Sequence, residues 1–277
     1  GHEHTLLQSS AHGTPIFKMT ADARELGKFN LNIDRRTGRL ESMDWEIIPV
    51  TEKVETAAEF QPVVDKYKEL LTKLAEPVGA TSVRLDALSL SSRTKETNIG
   101  NFIADAYRRA ANADVALVNG GSIRADLLYS PGVLTKRDVL SILPFNNPIV
   151  KIEISGKILR EVLEHGVARS AEDKEPGRFP QISGMSFKFD TSKPAGSRVS
   201  DVLVGGAALD EKKTYTLATS DFLVTRGGDG YTMFKDAKVL TPAATAPKDS
   251  DVFEQAIKNA PNGTIAPKVE CRVVKIN

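Results

Sequence analysis

Four short segments carry side chains that could bind a ligand: residues 96–101 (ETNIGN), 119–124 (NGGSIR), 144–147 (PFNN) and 227–231 (GGDGY). Phe145 and Phe222 stand beside polar residues and glycines rather than in apolar stripes. A ring in such a place can stack on a nucleobase, a contact that contributes roughly 1–3 kcal/mol. Arg93 and Arg124 carry guanidinium groups, whose planar fork donates two parallel hydrogen bonds to phosphate oxygens. Each segment alone could be a turn, since a Gly-Gly pair is most often a place where φ must be positive.

Composition limits the kinds of partner. The 277 residues carry 37 Lys and Arg against 36 Asp and Glu, a net charge of +1. This balance gives no electrostatic case for nucleic acid or an anionic membrane, so phosphate binding must depend on a few placed cations. No apolar run reaches the roughly 18 residues of a membrane span, and residues 1–4 do not open a signal peptide. The single cysteine, Cys271, excludes an internal disulfide, and its alternating surroundings predict a buried, inert thiol.

The hydrophobic pattern predicts the elements that would position these segments. Residues 15–45 alternate like two or three antiparallel strands. Apolar residues at helical spacing then predict one amphipathic helix: Phe60, Val63, Val64, Tyr67, Leu70, Leu71 and Leu74. Further along, Thr97 is predicted to cap a helix, residues 115–118 to form a buried strand, and another helix to follow Gly156. Strands mixed with segregated helices predict an α+β (mixed α/β) fold rather than a doubly wound parallel sheet.

In their order and separations, the four segments resemble the C-terminal domain of the 5′-nucleotidase and UDP-sugar hydrolase family. The resemblance covers about 190 residues, from near Ser82 to the end. It implies that Phe145 and Phe222 clamp the base and that Arg93 and Arg124 bind the substrate. It further implies that Asn119 contacts the nucleoside and that Asp229 accepts hydrogen bonds from the ribose hydroxyls.

Two positions depart from the family pattern. Ser122 stands where glycine is common, which leaves Arg124 in register. Phe222 lies seven residues before Asp229, one more than the common spacing. The sequence therefore predicts that residues 223–226 bulge, and that Arg226 in this bulge faces solvent. The alternative for the two phenylalanines is a place in a small core, and the alternative for Asp229 is simple stabilisation of a turn.

The first residues carry a candidate metal motif. His2 and His4 are two residues apart, so on an extended chain both imidazoles point to one side. With the strands that follow, they resemble the final G-H-x-H motif and closing strands of the calcineurin-like metallophosphoesterases, which implies two divalent metal ions (Zn, Mn or similar) in the intact parent. His12 is predicted to be solvated and His165 to be structural. Since the upstream ligands and the catalytic His-Asp pair of that family are not found in the chain, we expect no stably bound metal and no hydrolysis by this chain alone.

These inferences predict three parts. Residues 1–50 are the end of a metallophosphoesterase domain, 51–80 a linking helix, and 81–277 the substrate-binding domain. By resemblance, the parent is a phosphoester hydrolase of nucleoside monophosphates or related nucleotides, periplasmic, at the cell surface or secreted, and its two domains rotate about the linking helix. The chain would position base and ribose phosphate for metal-assisted hydrolysis by the N-terminal domain. A non-catalytic nucleotide-binding or scaffold module is the alternative, and a receptor for sugar groups is a third.

Overall fold

A computed structural model describes residues 5–21, 23–51, 53–55, 57–170 and 176–277. The chain divides into two compact units, residues 1–69 and 70–277. The boundary falls inside helix α1, which spans Gln61–Leu74 and follows a short helical turn at Ala58–Phe60. The long amphipathic helix is thus confirmed. None of the helices in the described part of the chain has the length and apolar character needed to cross a bilayer.

The first unit contains two antiparallel strand pairs. β1 (Leu7–Ala11) pairs with β2 (Thr14–Lys18), and β3 (Glu25–Ile33) pairs with β4 (Leu40–Pro49). The ring of Phe17 lies 4.9 Å from that of Phe29 and 4.8 Å from that of Trp45, measured between centroids. The strands predicted over residues 15–45 are therefore present, and β1 adds one before them.

The second unit is built on a five-stranded mixed sheet in the order β11-β7-β15-β10-β16. These strands span β7 Val115–Asn119, β10 Ile149–Ser155, β11 Pro180–Ser183, β15 Thr214–Ser220 and β16 Lys238–Thr241. β7 and β15 run parallel, and the other neighbours are antiparallel. All five residues of β7 are buried, as the apolar run at 115–118 predicts.

Three smaller sheets surround this one. A four-stranded sheet has the order β14-β13-β12-β18, a three-stranded sheet the order β17-β5-β9, and β6 pairs with β8. Their strands are β5 Pro77–Thr81, β6 Leu85–Asp86, β8 Leu128–Tyr129, β9 Gly132–Thr135, β12 Met185–Phe189, β13 Val199–Val204, β14 Ala207–Ala208, β17 Thr264–Ile265 and β18 Val273–Lys275. β5 begins inside the range 51–80 that the sequence assigns to the linking helix, so the helical part ends earlier than predicted.

In the described part of the second unit, six α-helices complete the fold. They are α2 Ser89–Thr94, α3 Asn98–Ala110, α4 Lys136–Ile142, α5 Gly156–Val167, α6 Asp221–Val224 and α7 Asp249–Lys258. Thr97 caps α3 as predicted, because its hydroxyl accepts a hydrogen bond from the Gly100 amide at 3.0 Å.

Two hydrophobic cores lie on opposite faces of the central sheet. Val115 and Leu117 of β7 belong to the core that includes α5, whereas Ala116 and Val118 belong to the core that includes α3 and α7. This division follows from the strand period of two, which sends successive side chains to opposite faces. The fold is therefore of the mixed α/β class.

One residue contradicts its predicted environment. Cys271 is exposed, and its φ is 61°, so it lies in an irregular segment before β18. The alternating pattern of residues 269, 271 and 273 suggested one longer strand. The left-handed backbone at Cys271 ends that alternation and turns the thiol outward.

Candidate functional site

Asn119 sits where β7 ends and the chain turns through the short helical segment Gly120–Ser122. Its amide nitrogen donates to the Asp229 Oδ2 atom at 2.6 Å, and its amide oxygen accepts from the Ser122 hydroxyl. Asn119 and Ser122 are both buried. Both ends of the Asn119 amide are therefore fixed, and the serine that departs from the family pattern orients the asparagine.

Asp229 lies in a tight turn with an uncommon backbone conformation. Its φ is 52° and its ψ 18°, a left-handed geometry that costs a residue other than glycine roughly 1–2 kcal/mol. The neighbours Gly227 and Gly230 also have positive φ, which glycine adopts readily. Asp229 is partly exposed. One carboxylate oxygen accepts from Asn119, and the other accepts no hydrogen bond from the part of the chain that the structure describes.

Phe222 lies in α6, just before this turn, and is partly buried against the core that includes α5. A Cβ atom on Gly228 would lie 2.2 Å from the Phe222 ring, so only glycine permits this contact. The bulge predicted at residues 223–226 is replaced by regular structure, since α6 extends to Val224 and a turn and a bend follow at residues 225 and 226. Arg226 is exposed there, as predicted. We refer to residues 221–230 as the Phe222 arm.

Arg93 lies in the last turn of α2. A Cβ atom on Gly120 would lie 2.2 Å from the Ser92 carbonyl oxygen and 3.1 Å from the Arg93 Cα atom, so α2 packs directly on the turn that follows Asn119. The buried side chain of Gln181 donates to the carbonyl oxygens of Ser92 and Lys95, each at 2.8 Å. These bonds satisfy carbonyl groups near the helix end and fix the position of α2.

Arg124 and Phe145 form a second contact pair. The Arg124 amide donates to the Ile142 carbonyl at 3.0 Å, which brings the arginine to the loop that follows α4. The Arg124 Cζ atom lies 5.8 Å from the centroid of the Phe145 ring, within the range of a cation–π contact. Phe145 is 54% exposed. The ring is thus presented to solvent beside a guanidinium group.

The loop that carries Phe145, residues 144–147, is held by the start of α7. We call it the Phe145 loop. The Ser250 hydroxyl donates to the Asn146 Oδ1 atom at 2.6 Å, and the Asp249 amide donates to the Asn147 carbonyl at 2.9 Å. Burial raises the pKa of Asp249 to about 6. The position of the Phe145 loop therefore depends on a helix that begins about a hundred residues later in the chain.

The structure brings the predicted residues together in two groups. Asn119 and Asp229 are in direct contact, as are Arg124 and Phe145. Arg93 lies against Gly120, beside Asn119, and Phe222 packs on Gly228, beside Asp229. All six substrate-binding candidates lie in the second unit. Their assigned roles stay predictions, because the geometry shows proximity and not a bound ligand.

The predicted metal ligands His2 and His4 lie outside the described residues. Within the described part of the chain, no group of three or more His, Cys, Asp or Glu side chains could hold a metal ion. The described residues therefore do not provide the ligand set of a two-metal centre.

Three supporting residues were not found from sequence. Ser122 was noted only as a departure, although its hydroxyl holds Asn119. The sequence contained a sign of the role of Gln181, since a polar residue in an otherwise buried strand needs hydrogen-bond partners. The sequence also pointed to Ser250, since the Asp-Ser-Asp sequence at 249–251 is typical of a helix start.

Comparison with known proteins gives the family. The trifunctional nucleotide phosphoesterase protein YfkN of Bacillus subtilis is 32% identical over 292 residues, which covers 100% of this chain and 19% of that protein. Protein 5NUC of Lutzomyia longipalpis is 30% identical, and the match covers 99% of this chain and 54% of that protein. The crystal structure of the 5′-nucleotidase precursor from Thermus thermophilus superposes with a TM-score of 0.74 at 27% identity, over 98% of this chain and 54% of that one.

The chain thus spans between about a fifth and about half of the length of these relatives. A family model described as "5′-nucleotidase, C-terminal domain" matches residues 77–236, which is more than half of the chain. This match contains all six substrate-binding candidates, and the chain belongs to the 5′-nucleotidase C-terminal domain family.

Proposed function

We propose that residues 81–277 are the nucleotide-recognising domain of a 5′-nucleotidase-type phosphoester hydrolase. In this proposal, the domain fixes the base and the ribose phosphate, and a preceding metallophosphoesterase domain carries out the hydrolysis. We extend the proposal to location: the parent acts in the periplasm, at the cell surface or as a secreted protein.

The observation that carries the proposal is that two contact pairs join three distant segments, residues 119–124, 144–147 and 227–231. Asn119 with Asp229 offers hydrogen-bonding groups that suit ribose hydroxyls. Arg124 with Phe145 offers a cation and an exposed ring that suit a phosphate and a base. The alternative that Phe145 is a core residue does not fit, because more than half of its side-chain surface is exposed.

The test is calorimetric titration of this chain with AMP, adenosine and ribose 5-phosphate. We expect saturable but weak binding of AMP and adenosine, because part of the phosphate contacts would come from the preceding domain. Phe145→Ala should weaken adenosine binding about tenfold or more, since stacking contributes roughly 1–3 kcal/mol. Phe60→Ala is the matched control, because Phe60 is 57% exposed and lies outside the family match.

Two outcomes would contradict the proposal: no saturable binding by the unaltered chain, or equal affinities for the unaltered chain and Phe145→Ala. We also propose that this chain alone is inactive. Incubation with AMP and a divalent cation should therefore release no phosphate above the buffer rate, and measurable turnover would overturn that part.

A further inference from the structure

His165, in the last turn of α5, contacts the turn that carries Asp229. The His165 Nε2 atom lies 2.9 Å from the Asp229 carbonyl oxygen. A carbonyl oxygen can only accept a hydrogen bond, so Nε2 must carry the hydrogen and donate. The histidine that the sequence suggests to be structural therefore makes a directional bond to the main chain of a candidate ribose-binding residue.

The contact acts on a backbone that needs support. Asp229 has a left-handed conformation that residues other than glycine rarely adopt, and such a conformation persists only where its surroundings hold it. The imidazole lies so close to this turn that a Cβ atom on Gly230 would be 3.1 Å from the His165 Cε1 atom. Asp229 is therefore held at two points, its carbonyl by His165 and its carboxylate by Asn119.

The surroundings of His165 favour a neutral donor. Burial, with the positive charge of Arg178, lowers the pKa of His165, whereas the Asp229 carbonyl and carboxylate act in the opposite direction. The Tyr231 ring meets the imidazole edge-on at 4.7 Å between centroids, and its hydroxyl donates to the Arg178 carbonyl at 2.7 Å. A neutral imidazole places no additional charge beside the Asp229 carboxylate, whose Oδ1 atom accepts no hydrogen bond from the described residues.

We propose that His165 is a positioning residue for nucleoside recognition: its Nε2–H bond holds Asp229 in the left-handed turn from which the carboxylate meets the ribose. This inference rests on the proposed function. His165 does not touch the ligand, and its effect on affinity passes through Asp229.

The experiment is a double-mutant cycle in this chain with adenosine as the ligand. His165→Ala should weaken binding about tenfold, and His165→Gln, whose amide can donate from a similar place, should restore affinity to within about threefold. In the Asp229→Ala background, His165→Ala should cause no further loss, because the residue through which it acts is gone. Equal losses of affinity in both backgrounds, or an unchanged affinity for His165→Ala, would overturn the inference.

A second measurement needs no ligand. The amides of Gly230 and Tyr231 donate across the same turn to the carbonyls of Gly227 and Gly228, at 3.0 and 3.1 Å. Their hydrogen exchange should become faster in His165→Ala and return towards the original rate in His165→Gln. Unchanged exchange in His165→Ala would refute the positioning role even if the chain bound no nucleoside, whereas changed exchange without binding would contradict only the proposed function.

Discussion

The Phe145 loop and the Phe222 arm each carry a ring that is proposed to stack on the base, and the two rings are held in opposite ways. Phe145 is mostly exposed, and its loop is held from outside by the start of α7. Phe222 is packed against the core and over Gly228, and its arm is held from within by Asn119 and His165. Under the proposed function, ligand recognition in the first region would be separable from folding, whereas in the second region the same contacts would serve both.

The strongest test of this comparison is Phe222→Ala. Because this ring is packed against the core, its removal should lower the free energy of unfolding by about 3 kcal/mol and also weaken adenosine binding. Urea unfolding and calorimetry measure the two effects. Phe222→Leu should keep most of the stability while losing the stacking contact. A Phe222→Ala chain of unaltered stability would contradict the view that this ring belongs to the core.

Asp249, which holds the Phe145 loop, should make stability depend on pH. Its pKa of about 6 in the folded chain lies above that of an unfolded aspartate, about 4, because burial disfavours the charged form. The stability contributed by the protonated carboxyl is complete below about pH 4 and is lost as the pH rises through about 6.

Asp249→Asn keeps the shape of this side chain without the charge. Above about pH 6 it should therefore be more stable than the unaltered chain, by an amount on the order of 3 kcal/mol, and the difference should close towards pH 4. Urea unfolding of both chains across this pH range measures the difference in their free energies of unfolding. A constant difference would show that Asp249 does not titrate in this window.

Phe145→Ala should separate recognition from folding. The exposed ring contributes little to the core, so the free energy of unfolding should change by less than about 0.5 kcal/mol. Adenosine affinity should still fall by roughly 1–3 kcal/mol. Phe222→Ala, measured under the same conditions, is the comparison. Similar losses of stability in both variants would remove the distinction between the two regions.

The smallest effect is expected from Ser250→Ala. It removes the hydrogen bond to the Asn146 side chain, a contribution of about 1 kcal/mol, and should loosen only the Phe145 loop. Adenosine affinity should fall a few-fold, and Ser250→Thr, which keeps the hydroxyl, should preserve it.

Arg226→Ala, in an exposed part of the Phe222 arm, should change neither stability nor affinity. If Arg226→Ala lowered adenosine affinity as much as Ser250→Ala, the effect of Ser250→Ala would not be specific to the Phe145 loop.

Local features of this protein could be predicted from its sequence. The apolar run at 115–118 predicted a buried strand, Thr97 predicted a helix cap, and residues 60–74 predicted an amphipathic helix. Each of these three features depends on residues close together in the chain, where strand and helix periods or turn chemistry act directly. The six candidate site residues follow from the family resemblance, and their roles stay predictions.

Contacts between distant residues could not be predicted in this way. Asn119 and Asp229 are 110 residues apart, and Ser250 and Asn146 are 104 apart. Their meeting depends on strand order and on where α7 packs, which no local pattern specifies. Even Cys271, assigned to a strand by alternation, is exposed because its left-handed backbone interrupts the strand.

The order of residues specifies which side chains are available and which short elements carry them, because these depend on local propensity. The folded chain is needed to show that one ring is exposed and the other packed, and that Gln181, His165 and Ser250 support the candidate site. The physical reason is that burial and hydrogen-bond pairing are properties of the folded chain, set by neighbours that the linear order keeps far apart.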